Sequence, residues 1–316
     1  MAIHKDKPHL WKADVAASVD LYNQWFMNFA PTAFRAERIK ATKDVLSAFD
    51  VTANLAQITP TVLQNNPGIL ASLRMATCPP IARDRLIGLA QVQKPLVETL
   101  EEGKLPTRML TKELTRQLTQ ICGTMQKMLD VDLLPWIQAK VTPTNVERER
   151  GATIIADRLC GAQANPIIRN AQESRQLEKI GAWLGARGYR KATHPADQPI
   201  TTMPAGTYAF RMNVRVGEEL AVNIPVDVVV QPKKARASPL PILIEAKSAG
   251  DFTNTNKRRK EEAQKYTQLK ERLGDDVEYV LFLCGYFDSG YLGYEAAEGI
   301  DWVWEHRIDD FAQLGL

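Results

Sequence analysis

The second half of this chain predicts an α/β sandwich of order helix–strand–strand–strand–helix–strand, preceded by a mostly helical first half. Three observations carry the prediction. Residues 208–216 and 220–230 alternate apolar and polar positions, the period of a β-strand. Residues 240–247 and 277–287 are short, strongly apolar runs bounded by turn residues. Apolar residues at helical spacing bracket these strands over 171–187 and 256–273 and recur through residues 1–165.

In chain order, Val15, Val19, Tyr22, Phe26 and Phe29 follow one helical stripe, and Leu114, Leu118, Ile121, Met125 and Met128 another. Pro31, Pro60, Pro67-Gly68, Pro79-Pro80, Pro106, Pro135 and Pro143 are expected to punctuate the helices. A helical domain over 1–165 and an α/β domain over 166–316 follow, with the boundary near Asn165-Pro166. The helix at 171–187 carries Leu177, Ile180 and Leu184 on one face; Glu173, four residues before Leu177, shares that face, whereas Glu178 does not. Tyr208, Phe210, Met212, Val214 and Val216 form the first strand, and Gly217-Glu218-Glu219 turns into the second. There Leu220, Val222, Ile224, Val226, Val228 and Val230 line one face and Asp227 the other. A polar loop, QPKKARASP, leads to the third strand, in which Ile242, Ile244 and Ala246 share one face and Glu245 and Lys247 the other. Glu262, Tyr266, Leu269 and Leu273 fall on one face of the next helix, with Gly274 as its C-cap, before the buried strand VEYVLFLCGYF.

Two carboxylates and an ammonium on neighbouring strands suit divalent-metal hydrolysis of a phosphodiester. Asp227 and Glu245 are the expected ligands of Mg²⁺, for which Mn²⁺ can substitute, and Lys247 orients water and offsets phosphate charge. An acidic residue on a buried stripe needs a partner, so Glu173 is the expected further metal carboxylate. An E-x-K tripeptide is ordinarily a solvated ion pair; the apolar strand around this one and the aspartate nearby favour a site. Ser248 to Lys260 then offers amides and four consecutive cations. Asn254, Asn256, Lys257, Arg258, Arg259 and Lys260 are the candidate DNA contacts, to base edges or to phosphate. The plainer reading is a capped, solvated helix start, yet four cations oppose the dipole at a helix N-terminus, which favours a polyanion. Arg83 and Arg85 are weaker phosphate candidates, since Arg-x-Arg is usually surface.

Composition excludes more than it selects. The 316 residues are 45% hydrophobic and 24% charged, ordinary for a globular chain. The net charge is +3, but residues from Gly274 onward hold ten acidic and one basic side chain, which leaves a net +12 before them and suggests a basic cleft backed by an acidic edge. Cys78, Cys122, Cys160 and Cys284 are widely spaced and read as buried thiols of a cytoplasmic protein. No signal-peptide or membrane-length apolar run occurs, none of the four histidines has metal-ligand spacing, and no G-x-x-x-x-G-K-[ST] is present.

Asp227, Glu245 and Lys247 match the PD-(D/E)XK nuclease pattern, except that Val226 precedes the aspartate and Pro225 lies one residue earlier. The strings IEAKSAGDFTNTNKRRKEEAQKY and RNAQESRQLEKIGAWLGARGYR resemble the XamI family of type II restriction endonucleases. DVAASVDLYNQWFMNFAPTAFRAERI, RMATCPPIARDRLIGLA and YLGYEAAEGIDWVWEHRID extend the resemblance over nearly the whole chain. It implies a restriction-endonuclease-like αβββαβ core and Mg²⁺-dependent cleavage of double-stranded DNA at a short palindrome, leaving 5′-phosphates. It also implies a homodimer and a companion DNA methyltransferase acting separately. The family's namesake reads GTCGAC. A repair or structure-specific nuclease, and a DNA-binding protein with a relic site, are the alternatives.

Overall fold

The computed structural model describes residues 2–195, 198–216, 222–236, 238–253 and 255–316, with the side chains of 216, 222 and 255–258 left out of the description. The chain forms two compact units, Met1–Phe29 with Arg169–Leu316, and Ala30–Ile168. The boundary expected at Asn165-Pro166 falls inside a helix, and the first residues of the chain group with the last ones.

The unit Ala30–Ile168 is helical. It contains the later part of α1 (Pro8–Val51), then α2 (Pro60–Asn65), α3 (Leu70–Met75), α4 (Arg83–Ala90), α5 (Lys94–Glu101), α6 (Thr111–Met128) and α7 (Pro135–Ala139), and the first part of α8 (Asn145–Ala186). Phe49, Leu73, Leu86, Leu100, Leu118, Ile121, Trp136 and Leu159 form its core. Leu114, Leu118, Ile121 and Met125 from the predicted stripe of α6 are all buried. Pro31 and Pro166 lie inside α1 and α8, because a proline costs a helix one hydrogen bond and the surrounding turns can carry that loss.

The other unit is built on a six-stranded sheet: β1 (Arg190–Lys191), β2 (Thr207–Val216), β3 (Val222–Gln231), β4 (Ile242–Ala249), β5 (Tyr279–Gly285) and β6 (Asp301–Trp304), in the spatial order β1-β2-β3-β4-β5-β6. The pairs β2–β3 and β3–β4 are antiparallel, and β4–β5 and β5–β6 are parallel. α9 (Thr255–Leu273) links β4 to β5, and α10 (Ser289–Ala297) links β5 to β6. Strand β5 is apolar on both faces because helices cover both, whereas β4 is apolar on its α8 face and carries Glu245 and Lys247 on the other. On one face Leu243, Leu281, Leu283, Trp302 and Trp304 pack with Leu269 of α9 and Tyr291 and Leu292 of α10. On the other, Val228, Val230, Ile242, Ile244 and Phe282 pack with Leu177, Ile180 and Leu184 of α8.

The N-terminus joins this unit first through the Asp301 carboxylate. Asp301 accepts hydrogen bonds from the backbone N–H groups of Ile3, His4 and Lys5 at 2.5, 2.9 and 3.1 Å. Trp11 packs edge-on against Trp302 with ring centroids 5.5 Å apart, and Ser18 Oγ accepts from Gly285 N at 2.7 Å. The acidic C-terminal stretch is therefore only partly a surface edge: Asp301, Glu295 and Glu305 are buried. Cys122, Cys160 and Cys284 are buried as expected, but Cys78 is exposed. Among the described residues no helix is long and apolar enough to cross a membrane.

Candidate active site

The strict alternation expected along β2 and β3 breaks at one level of the sheet. Tyr208 and Phe210 pack on the α8 face, but Met212 and Val214 pack on the opposite face. In β3, Ile224 and Val226 share that opposite face, while Val228 and Val230 face α8. The change of side falls at Arg211 and Asp227, the register position the β2–β3 pairing skips between Phe210↔Val228 and Met212↔Val226. Arg211 has φ +52°, a left-handed conformation that turns a strand over. β3 and β4 also part here, pairing only from Val228↔Ile244 to Val230↔Ile242. Asp227 fills the opening, and its Oδ2 accepts from Ala246 N at 2.9 Å.

Glu245 and Lys247 project from β4 on the α9 side, as their two-residue spacing predicts. Lys247 Nζ lies 3.0 Å from Glu245 Oε1 and 3.5 Å from Glu262 Oε1, and Lys265 Nζ lies 2.5 Å from Glu245 Oε2. Burial, and then the charge of Glu245, push the Asp227 carboxyl up to about 6. Burial disfavours the Lys247 ammonium, but Glu245 and Glu262 outweigh it and hold its pKa above the usual lysine value. Behind the lysine, Glu262 is 1% exposed and its Oε2 accepts from the Tyr291 hydroxyl. Glu295 is equally buried beside Glu262; burial raises both carboxyls and the charge of Glu262 raises Glu295 further, so the pair holds on to a proton more readily than isolated carboxyls do.

Glu173 does not join this group. It lies on α8, which covers the opposite face of the sheet, and its half-buried carboxylate pairs at 2.9 Å with Arg211, which is mostly in solvent. The partner that its place on an apolar stripe demands is an arginine on β2. Of the candidate DNA contacts, Asn254 and the side chains of Asn256, Lys257 and Arg258 lie outside the described residues. Arg259 stacks its guanidinium 3.4 Å from the centroid of the Tyr294 ring, and Lys260 is exposed. Arg83 pairs with Glu101 at 3.6 Å, and Arg85 is exposed. Sequence reasoning missed Glu262, Lys265, Tyr291 and Glu295 as members of the site. A signal existed for Glu262, a carboxylate on the apolar stripe of its helix; none singled out the other three.

A family model described as XamI restriction endonuclease matches residues 53–304, most of the chain and the whole of the group around Glu245. The chain belongs to the XamI restriction endonuclease family. It is 56% identical over 313 residues to the type II restriction enzyme SalI of Streptomyces albus G, covering 99% of each chain. It is 26% identical over 196 residues to the type II restriction enzyme XamI of Xanthomonas campestris pv. amaranthicola, covering 62% of this chain and 64% of that one. No solved structure matches. As a member of this restriction endonuclease family the chain is a type II enzyme, a site-specific endonuclease that cleaves DNA.

Proposed function

We propose that cleavage takes place at Asp227, Glu245 and Lys247, in a core of the PD-(D/E)XK kind, and that it requires Mg²⁺, with Mn²⁺ as a substitute. The observation that carries this reading is the opening between β3 and β4, with Asp227 in it and Glu245 and Lys247 beside it. Among the described residues no three His, Cys, Asp or Glu side chains are grouped to hold a metal. Mg²⁺ commonly takes only one or two protein carboxylates and completes its shell with water and phosphate, so Asp227 and Glu245 fit it as a donor set. Burial first, and then the neighbouring charge of Glu245, raise Asp227 to about 6, and a cation held by the two carboxylates would offset that cost. Bound there, Mg²⁺ supplies a Lewis acid for the scissile phosphate and lowers the pKa of the attacking water.

The chain's own groups do the rest. Lys247, held between Glu245 and Glu262, points its ammonium at the water or the phosphate and offsets the charge that develops there. Water attacks in line, the P–O3′ bond breaks, and 5′-phosphate and 3′-hydroxyl ends result. Lys265 balances Glu245 from the other side. Glu173 takes no part in this reading. Arg259, Lys260 and the amides and cations of 254–258 follow the catalytic strand directly and supply contacts to double-stranded DNA. A palindromic target has a two-fold axis, so two chains act as a homodimer, and a separate methyltransferase protects the host's own sites.

The test is a digest of long unmethylated DNA with Mg²⁺ and an EDTA control, with the fragment ends sequenced and a GTCGAC duplex included. Discrete fragments sharing one palindrome support the reading. Cutting only at forks or single strands would move the chain to repair chemistry. Lys247→Ala is expected to abolish cutting while DNA affinity stays within about threefold; cutting at the wild-type rate would remove Lys247 from the centre.

A further inference from the structure

We propose that Glu262, braced by Tyr291, is a positioning residue that aims the Lys247 ammonium during cleavage. The inference rests on the reading of Asp227, Glu245 and Lys247 as the cutting centre.

An ammonium has three N–H bonds and rotates freely unless they are engaged. Glu245 Oε1 at 3.0 Å and Glu262 Oε1 at 3.5 Å both lie within ion-pair distance of Lys247 Nζ. The buried Glu262 Oε1 has no other partner among the described residues, so it is free to take one N–H and leave the others for Glu245 and for water or phosphate. Glu245 is a poor sole anchor, because its Oε2 already holds Lys265 and the same carboxylate is the one proposed to take a cation. Whatever Glu245 gives up on binding, Glu262 retains.

Glu262 is itself built in rather than exposed to drift. It comes from α9, is 1% exposed, and takes the Tyr291 hydroxyl of α10 on its Oε2, which leaves Oε1 for the lysine. Glu295, one helical turn after Tyr291, is buried to the same 1%, and among the described residues its carboxylate has no hydrogen-bond partner. Fold stability gives no reason for this arrangement. Two carboxyl groups and an ammonium taken out of water cost more than apolar side chains of the same size would. A costly polar group kept beside a catalytic side chain is the mark of a functional constraint.

The test compares full-length Glu262→Gln, Glu262→Asp and Tyr291→Phe with the wild type, in saturating-DNA cleavage, DNA affinity without metal, and thermal melts in EDTA. Glu262→Gln is expected to lower kcat by about 10–100-fold, the cost of a catalytic group displaced by a fraction of an ångström to an ångström. KM, DNA affinity and melting temperature should stay near wild type. Glu262→Asp, which keeps the charge, should recover part of the rate, and Tyr291→Phe should lose less in the same direction. In EDTA melts, Lys247→Met and Glu262→Gln should combine non-additively by at least about threefold in the unfolding constant, as contacting residues do. A wild-type kcat for Glu262→Gln, or a loss that follows melting temperature or DNA affinity, would overturn this inference alone. A wild-type chain that cuts no DNA under any divalent metal would overturn the cutting centre and this inference together.

Discussion

Replacing Asp227 with asparagine should destroy cleavage and stabilise the fold. Asp227 sits in the gap between β3 and β4, accepts one backbone N–H from Ala246, and has its carboxyl pushed from 3.8 to about 6 by burial and by Glu245. Below pH 3.8 the carboxyl is protonated in the folded and the unfolded chain alike, and it costs nothing. Between 3.8 and about 6 only the unfolded chain ionises, so stability falls as pH rises; above about 6 the full cost is present. The gap corresponds to about 3 kcal/mol at about 1.4 kcal/mol per tenfold change in proton affinity. An asparagine keeps the acceptor for Ala246 N and removes the charge, so at pH 8 Asp227→Asn should gain about 2–3 kcal/mol, or about 5–10 °C in melting temperature. At pH 4 the gain should shrink below about 1 kcal/mol. Thermal melts in EDTA at the two pH values measure it, with a cleavage assay alongside. A variant that melts at or below wild type at pH 8, or gains equally at both pH values, would refute the claim that Asp227 is held in an unfavourable charged state.

Glu173→Gln should leave kcat within about twofold of wild type and stability within about 1 kcal/mol, since its part-exposed pair with Arg211 lies on the other face of the sheet; a tenfold loss of kcat would return Glu173 to the active site. Gly285→Ala should destabilise by more than about 2 kcal/mol, because at φ +101° an added Cβ would lie 2.1 Å from the Ala249 carbonyl oxygen; a wild-type melt would contradict the close approach of β4 and β5. Burial raises the thiol of Cys122 to about 11 and that of Cys284 to about 12, so at pH 8 a thiol reagent should label exposed Cys78 quickly and those two only on unfolding. Fast labelling of Cys284 in the native protein would mean that β5 is accessible.

The sequence alone determined the order of the central elements, α8, β2, β3, β4, α9 and β5, and the side of β4 from which Glu245 and Lys247 project. Both follow from short-range period, two for a strand and three to four for a helix. It did not show the short β1, or α10 and the β6 that completes the sheet. The run ILIEAK could hold its two charges together only on the face opposite Ile242, Ile244 and Ala246. Period could not reveal where it fails. Arg211 in a left-handed conformation and the parting of β3 from β4 are properties of the assembled sheet, and they are what turns the strands over and brings Asp227 against Ala246 N. The same limit misdirected Glu173. Its stripe is buried as expected, but a helix sequence does not say which face of a sheet it will cover, and α8 covers the one away from Glu245. Glu262 lay on an equally apolar stripe, and only the crossing of α9 over the other face made it the neighbour of Lys247. Local spacing sets which side chains share a face; which faces meet is decided by long-range packing, and the candidate site lies where two of them do.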